Sequence, residues 1–373
     1  MTTEITTHNS PLKKRLLSLD VFRGLTIAAM ILVNDPGDWR HIYAPLEHSK
    51  WNGCTPTDLI FPFFLFMVGV SIVYAMESRK EVTTNHTKLI LHALKRTLIL
   101  LLITYIIRFL FQPNLSHMRI PGVLPRIAVV YFICTVLYIK TSQKTRDWLF
   151  VIALVGYYII MNFIPVPGVG YANLEPATNL GAWIDRLIFT PNHLWAETHT
   201  WDPEGLLGTI PAIATGLFGM RLGAWIKRKD REDSVKVSWM FTYGTISVIT
   251  ALIWDLFFPI NKALWTSSFV LYTGGLATIG LALSYWLIDV QGYKKFTPPI
   301  VAFGANAITA YILADFIPHY IEMIKIHGQS IYQVFFAPYF SPINASLVSA
   351  IFIVLVIWAV MWILYKRKII IKV

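Results

Sequence analysis

The stretch EHSKWNGCTPTDLIFPFFLFMVGVSI, residues 47–72, changes character halfway. Its first half carries His48, Trp51, Asn52 and Asp58, and from Leu59 it becomes a continuous apolar run. A helix through that run is long enough to cross a hydrocarbon core of roughly 30 Å. The polar half then stands at the mouth of a membrane helix.

Similar runs recur along the whole chain. Of 373 residues 55% are hydrophobic and 14% charged, where a soluble domain carries nearer a quarter charged. The runs are continuous, whereas a β-barrel needs short alternating segments. The fold class is therefore all-α, a polytopic helical integral membrane protein. Ten spans are expected, at about 18–35, 57–76, 89–111, 123–140, 147–164, 205–227, 237–258, 266–289, 298–318 and 343–365. The first is read as an uncleaved helix, because it contains Arg23 and no small-residue cleavage site follows it. The chain 1–373 reads as one transmembrane domain with the long loop 165–204 as a cap. The aromatic stretch 331–342 is placed in the membrane interface.

Basic residues alternate in density between the spans. One set of connections holds Lys13, Lys14, Arg15, Arg79, Lys80, Lys88, Lys140, Lys144, Arg146, Lys227, Arg228, Lys229, Arg231, Lys236, Lys294, Lys295, Lys366, Arg367, Lys368 and Lys372. The other holds Arg40, Lys50, Arg119, Arg186, Lys262 and Lys325. The positive-inside rule puts both termini in the cytoplasm and His48 and Asp58 on the outer face. It also accounts for the net charge of +11 without nucleic acid, for which no binding motif is present. Cys54 and Cys134 give neither a disulfide framework nor a metal spacing.

Ionisable groups within spans mark function by default. Asp20, Arg23 and Asn34 fall within a sector of about 60° on the first helix, with about 21 Å between the first and the last. Asp20 and Arg23 also fit a plain i,i+3 ion pair. Lys88, His92 and Lys95 share a face of the third span, with Arg96 beside them. They suit either snorkelling to headgroups or a phosphate site. On the outer side stand His48, Trp51, Asn52, Asp58, Arg126, Asp202 and Glu204. Trp51 also fits an interfacial anchor, and Cys54 is a weaker nucleophile candidate. Asn306 falls near mid-membrane, as an interhelical hydrogen-bonder or a ligand contact. Gly205, Gly208, Gly216, Gly219 and Gly223 crowd the sixth span as close-packing positions.

The blocks RLLSLDVFRGLTIAAMILVN and EHSKWNGCTPTDLIFPFFLFMVGVSI closely resemble the heparan-alpha-glucosaminide N-acetyltransferase family and its bacterial relatives. GVLPRIAVVYF, WDPEGLLGTIPAIATGLFGMRLG, TGGLATIGLALSYWLIDV and GANAITAYI extend the likeness, in order, over nearly the whole chain. The resemblance implies a transmembrane acetyltransferase. Cytoplasmic acetyl-CoA is the cosubstrate, no cofactor is permanently bound, and an amino sugar on the far side is the acceptor. It implies that His48, before the WNG triplet, is catalytic and that Asn34 belongs to the site. It also implies a homodimer. The lysosomal members carry an extra amino-terminal domain and one more helix, and the segment between Asn34 and His48 is longer here than in them. A free hexosamine or an envelope sugar therefore suits the site as well as a large glycan.

On this reading Arg23, Lys95, Arg96 and Asn306 hold acetyl-CoA, and Trp51, Asn52, Arg126, Asp202 and Glu204 bind the acceptor. His48 acts as general base or as acetyl carrier, Asp58 orients it, and Asn34 donates to the oxyanion. Two other classes fit parts of the pattern. An O-acyltransferase of an envelope sugar shares donor and topology. A solute transporter would use the same polar residues, although no repeated halves are seen.

Overall fold

The computed structural model describes residues 16–82 and 85–371. Lys13, Lys14, Arg15 and Lys372 of the charge pattern lie outside the described residues. The elements in chain order are α1 (Leu17–Asn34), α2 (Ile60–Val82), α3 (His86–Phe111), α4 (Val123–Lys140), α5 (Gln143–Phe163), α6 (Leu180–Phe189), α7 (Thr209–Ile226) and α8 (Asp233–Asp255). There follow α9 (Ser267–Tyr285), α10 (Thr297–Ala305), α11 (Ala307–Met323), α12 (Ile331–Phe335) and α13 (Pro342–Lys366). Strands are confined, among the described residues, to the small hairpin Lys325–Ile326 and Gln329–Ser330. Among the described residues nine helices are long and apolar enough to cross a membrane, or ten spans if the bent pair α10–α11 counts as one. The protein is thus a polytopic helical membrane protein.

Local chemistry sets many of the boundaries. Asn85, Ser142, Asn179 and Thr266 each accept a hydrogen bond from a backbone N–H of the first turn of α3, α5, α6 and α9, which satisfies donors no helix can satisfy itself. Inside the spans, Thr26, Ser71, Thr104 and Thr278 return their hydroxyls to the carbonyl four residues back. No polar hydrogen of theirs then faces hydrocarbon.

Helix packing depends on small residues, as expected where lipid is as apolar as the helix surface. A Cβ at Gly219 of α7 would run into the main chain of Phe66 in α2, and one at Gly69 into Gly216. Gly216, Gly219 and Gly223 are therefore packing positions. Gly205 and Gly208 lie outside the helix, beside Asp185 and Arg126. Gly24 and Gly304 bring α1 and α10 into main-chain contact in the same way.

The ninth span, expected to be continuous, is broken. α10 and α11 meet at 81°, with Asn306 at the break and only 1% exposed. Its amide donates to the Ile369 carbonyl at 3.0 Å and accepts from the Ile371 N–H at 2.8 Å. Those residues follow the end of α13, so the Asn306 amide is taken up by the tail of the chain. The break leaves backbone groups without helical partners, and the amide bonds to the tail anchor that corner.

The segment 165–204 is ordered by its own contacts. It contains α6 and is stitched to the bundle through Trp51, whose indole N–H donates to the Leu174 carbonyl at 3.0 Å. The Ile120 N–H donates to the His193 carbonyl at 2.9 Å.

Candidate functional site

The turn ahead of α2 is built around one carboxylate. Asp58 is 0% exposed, and its Oδ2 accepts the backbone N–H groups of Thr55 and Ser49, each at 3.0 Å. The sequence Thr55-Pro56-Thr57-Asp58 is the usual pattern for such a cap. The Thr55 hydroxyl closes the loop by donating to the Glu47 carbonyl at 2.6 Å. The remaining oxygen, Oδ1, is 2.7 Å from His48 Nδ1. The carboxylate that fixes the turn therefore also fixes the imidazole. With Nδ1–H donated to Asp58, Nε2 is left as an acceptor. The His48 side chain is 51% exposed, so that nitrogen is reachable.

A remote segment completes this centre. Gly53 has φ +104, a conformation that favours glycine, and its N–H donates to the Ile260 carbonyl at 2.7 Å. Asn261 donates its amide to Asn52 Oδ1 at 3.1 Å. These bonds dock the Trp51-Asn52-Gly53 turn on the loop between α8 and α9. The docking brings Lys262 Nζ to 3.0 Å from His48 Nδ1, 3.4 Å from Nε2 and 3.4 Å from Asp58 Oδ1. Trp265, three residues on, holds φ +54, a strained state for a bulky residue. It is kept there by full burial and by donating its indole N–H to Thr215.

A second charged cluster joins the 165–204 segment to the start of α4 and the turn before it. Arg119 donates to Asp202 at 2.8 and 2.6 Å and to Glu204 at 2.6 Å. Arg126 donates to the carbonyls of Pro203 and Gly205 and lies 5.2 Å over the Trp265 ring. Asp185 accepts from the Leu206 N–H at 2.8 Å, and burial pushes its carboxyl up to about 7. Trp51 meets Trp201 edge to face at 5.0 Å. The cavity among Trp51, Arg126, Asp185, Trp201 and Asp202 measures about 20 Å³, which holds a water and not a sugar ring.

Asn34 is the exposed last residue of α1. α1 packs against the turn Pro56–Leu59, so Asn34 reaches the His48 face. Next to it, Asp35 has an Oδ2 buried without a partner among the described residues. Burial, with the charge of Asp315, pushes that carboxyl up to about 7. Cys54 is a poor nucleophile, because burial and then the Asp58 charge push its thiol up to about 12.

The opposite end of the bundle is organised differently. Arg23 bonds Asp20 at 3.2 Å and Ser71 at 2.8 Å. Arg96 lies 4.8 Å over the Tyr131 ring. Lys88, His92 and Lys95 run along the exposed face of α3, Lys95 among Leu91, Leu98 and Leu102. Arg23, Arg96 and Lys95 thus have different described neighbours.

The sequence expectations at the His48 face thus divide. His48 and Asp58 are in contact, and Trp51, Arg126, Asp202 and Glu204 gather around the end of the 165–204 segment. The Asn52 amide oxygen is taken up by Asn261. Lys262, Asn261, Arg119 and Asp185 were not singled out from the sequence. Lys262 is 214 residues from His48, and nothing local to it marks a site. Among the described residues no group of three or more metal-ligating side chains occurs.

Comparison with known proteins gives concordant results. Residues 15–258 match the family model described as heparan-alpha-glucosaminide N-acetyltransferase, catalytic. His48 and Asp58 lie inside that match and Lys262 just beyond it. The chain is 31% identical over 361 residues to mouse heparan-alpha-glucosaminide N-acetyltransferase, covering 82% of this chain and 54% of the relative. Against the human protein it is 31% identical over 358 residues, covering 81% and 53%. The chain therefore spans about half the length of the curated relatives it matches.

Proposed function

The chain belongs to the heparan-alpha-glucosaminide N-acetyltransferase family, and from that premise we propose that it moves an acetyl group from acetyl-CoA to the amine of a hexosamine. The donor arrives at the end of the bundle that carries the chain termini, and the acceptor at the His48 face. The Lys and Arg distribution supports cytoplasmic termini and a cell-membrane setting, the inner membrane where there are two.

The observation that carries this reading is the His48–Asp58 contact of 2.7 Å at the open mouth of α2. A sugar ammonium must lose a proton before it can attack a thioester. His48 Nε2 takes that proton, and Asp58 holds the ring in the tautomer that allows it. The amine attacks the acetyl carbonyl, Asn34 donates to the oxyanion, and CoA leaves as the thiolate, which takes up the second proton of the acylated nitrogen. Arg23, Lys95, Arg96 and Asn306 are the donor-side candidates, with Asn306 the most enclosed. Trp51, Arg126, Asp202 and Glu204 line the acceptor side. A sugar ring exceeds the present cavity there, so the 165–204 segment opens to admit it.

The test uses purified protein in detergent with labelled acetyl-CoA. Labelled N-acetylglucosamine is expected with glucosamine as acceptor and is lost in His48→Ala. Transfer to neutral sugars in preference to glucosamine would assign the site to hydroxyl acylation instead.

A further inference from the structure

Lys262 gives the centre something the transfer reaction does not need from the protein: a primary amine. Its Nζ lies 3.0 Å from His48 Nδ1, 3.4 Å from Nε2 and 3.4 Å from Asp58 Oδ1, and Nδ1 also contacts Asp58 at 2.7 Å. Amine, base and carboxylate are thus mutually in contact, which puts a base within reach of a nucleophile. Lys262 is brought there by main-chain and amide bonds from Gly53 and Asn52 to Ile260 and Asn261, not by a flexible tether. Its side chain is 20% exposed, enclosed yet open on one side.

We propose that Lys262 occupies the place of the acceptor's amine and is itself acetylated by acetyl-CoA when no amino sugar is present. This rests on the acetyl-transfer reading above. The His48 imidazole accepts a proton from the Lys262 ammonium. The freed Nζ lone pair attacks the thioester carbonyl carbon, the C–N bond forms and the C–S bond breaks. CoA leaves as a thiolate and takes the second Nζ proton, while the imidazolium releases the first to solvent. The products are N-acetyl-Lys262, free CoA as the thiol and one proton. The amide carries no charge, so Asp58 loses the Lys262 ammonium beside it and the acceptor position stays filled. Acetyl-CoA without acceptor then silences the protein.

Two other lysines on the same face separate this route from simple chemical acetylation. Lys50 and Lys325 are both more exposed than Lys262, so an unassisted reaction modifies them first. Purified protein in detergent is incubated with isotope-labelled acetyl-CoA, with and without glucosamine, and mapped by peptide mass spectrometry. Lys262 is expected to acquire label faster than Lys50 and Lys325, by the roughly 10²-fold that a positioned base contributes. Glucosamine suppresses that label, and His48→Ala reduces it to the level of the other two. Label at Lys262 no greater than at Lys50 and Lys325 overturns the proposal, whatever the sugar assay gives. N-acetylglucosamine formed in the parallel tube reports separately on the transfer reading.

Discussion

The two ends of the bundle treat their candidate site residues differently. At the His48 face, side chains from distant parts of the chain converge: His48, Asp58 and Lys262 touch one another, and Arg119 clamps Asp202 and Glu204. At the other end Arg23, Arg96 and Lys95 each answer to a different neighbour. The difference teaches which part of the reaction needs preorganisation. Proton transfer demands fixed geometry within hydrogen-bond reach. A nucleotide with several phosphates can be gripped by mobile cations that gather around it.

Substitutions sharpen that contrast. His48→Ala is expected to have the largest effect, a loss of transfer of up to about 10⁴-fold. Acetyl-CoA binding, followed by calorimetry, stays near that of the parent. Asp58→Asn follows, at about 10²-fold in transfer rate, together with a lower thermal midpoint because the turn loses its anchor. An unchanged rate in a folded Asp58→Asn protein would detach the carboxylate from the chemistry. Arg119→Ala leaves two buried carboxylates unpaired and is expected to cost about 3–5 kcal/mol of stability, read from unfolding in detergent. A change below about 1 kcal/mol, the worth of an exposed pair, would show that cluster to be solvated.

Asp185 tests burial by pH. Its carboxyl is pushed up to about 7 from 3.8, so between those values the folded protein holds a proton that the unfolded chain has released. Stability from this group falls as pH rises through that window. Asp185→Asn, which mimics the protonated form, should gain thermal midpoint relative to the parent between pH 4 and pH 7, in the range set by that shift. A constant difference between the two proteins would count against the burial effect. The smallest effect is expected from Lys95→Ala, because its side chain lies on the exposed face of α3. Acetyl-CoA affinity should drop less there than in Arg23→Ala, and the reverse order would move the donor site to α3.

The spans were legible because membrane helices are selected by composition over about twenty residues. The fourth, expected at 123–140, is observed at Val123–Lys140. The His48–Asp58 pair was also legible, since both lie on one turn whose capping pattern is local. Lys262 was not, because its position depends on Asn52 meeting Asn261 across 209 residues, and such pairing leaves no periodic trace. The break at Asn306 was hidden for a similar reason. Its amide is satisfied by the tail at Ile369 and Ile371, and an apolar window cannot register that. Arg119 stood in the sequence only as one basic residue of an outer connection, because its two carboxylates lie 83 and 85 residues further on.

The central claim is that donor and base work from opposite faces of the same bundle. Sealed vesicles with the protein in one orientation test it. Labelled acetyl-CoA is supplied only on the side of the chain termini, and membrane-impermeant glucosamine only on the side of His48. Labelled N-acetylglucosamine should accumulate on the His48 side. Product that forms only when donor and acceptor share a compartment would contradict the account.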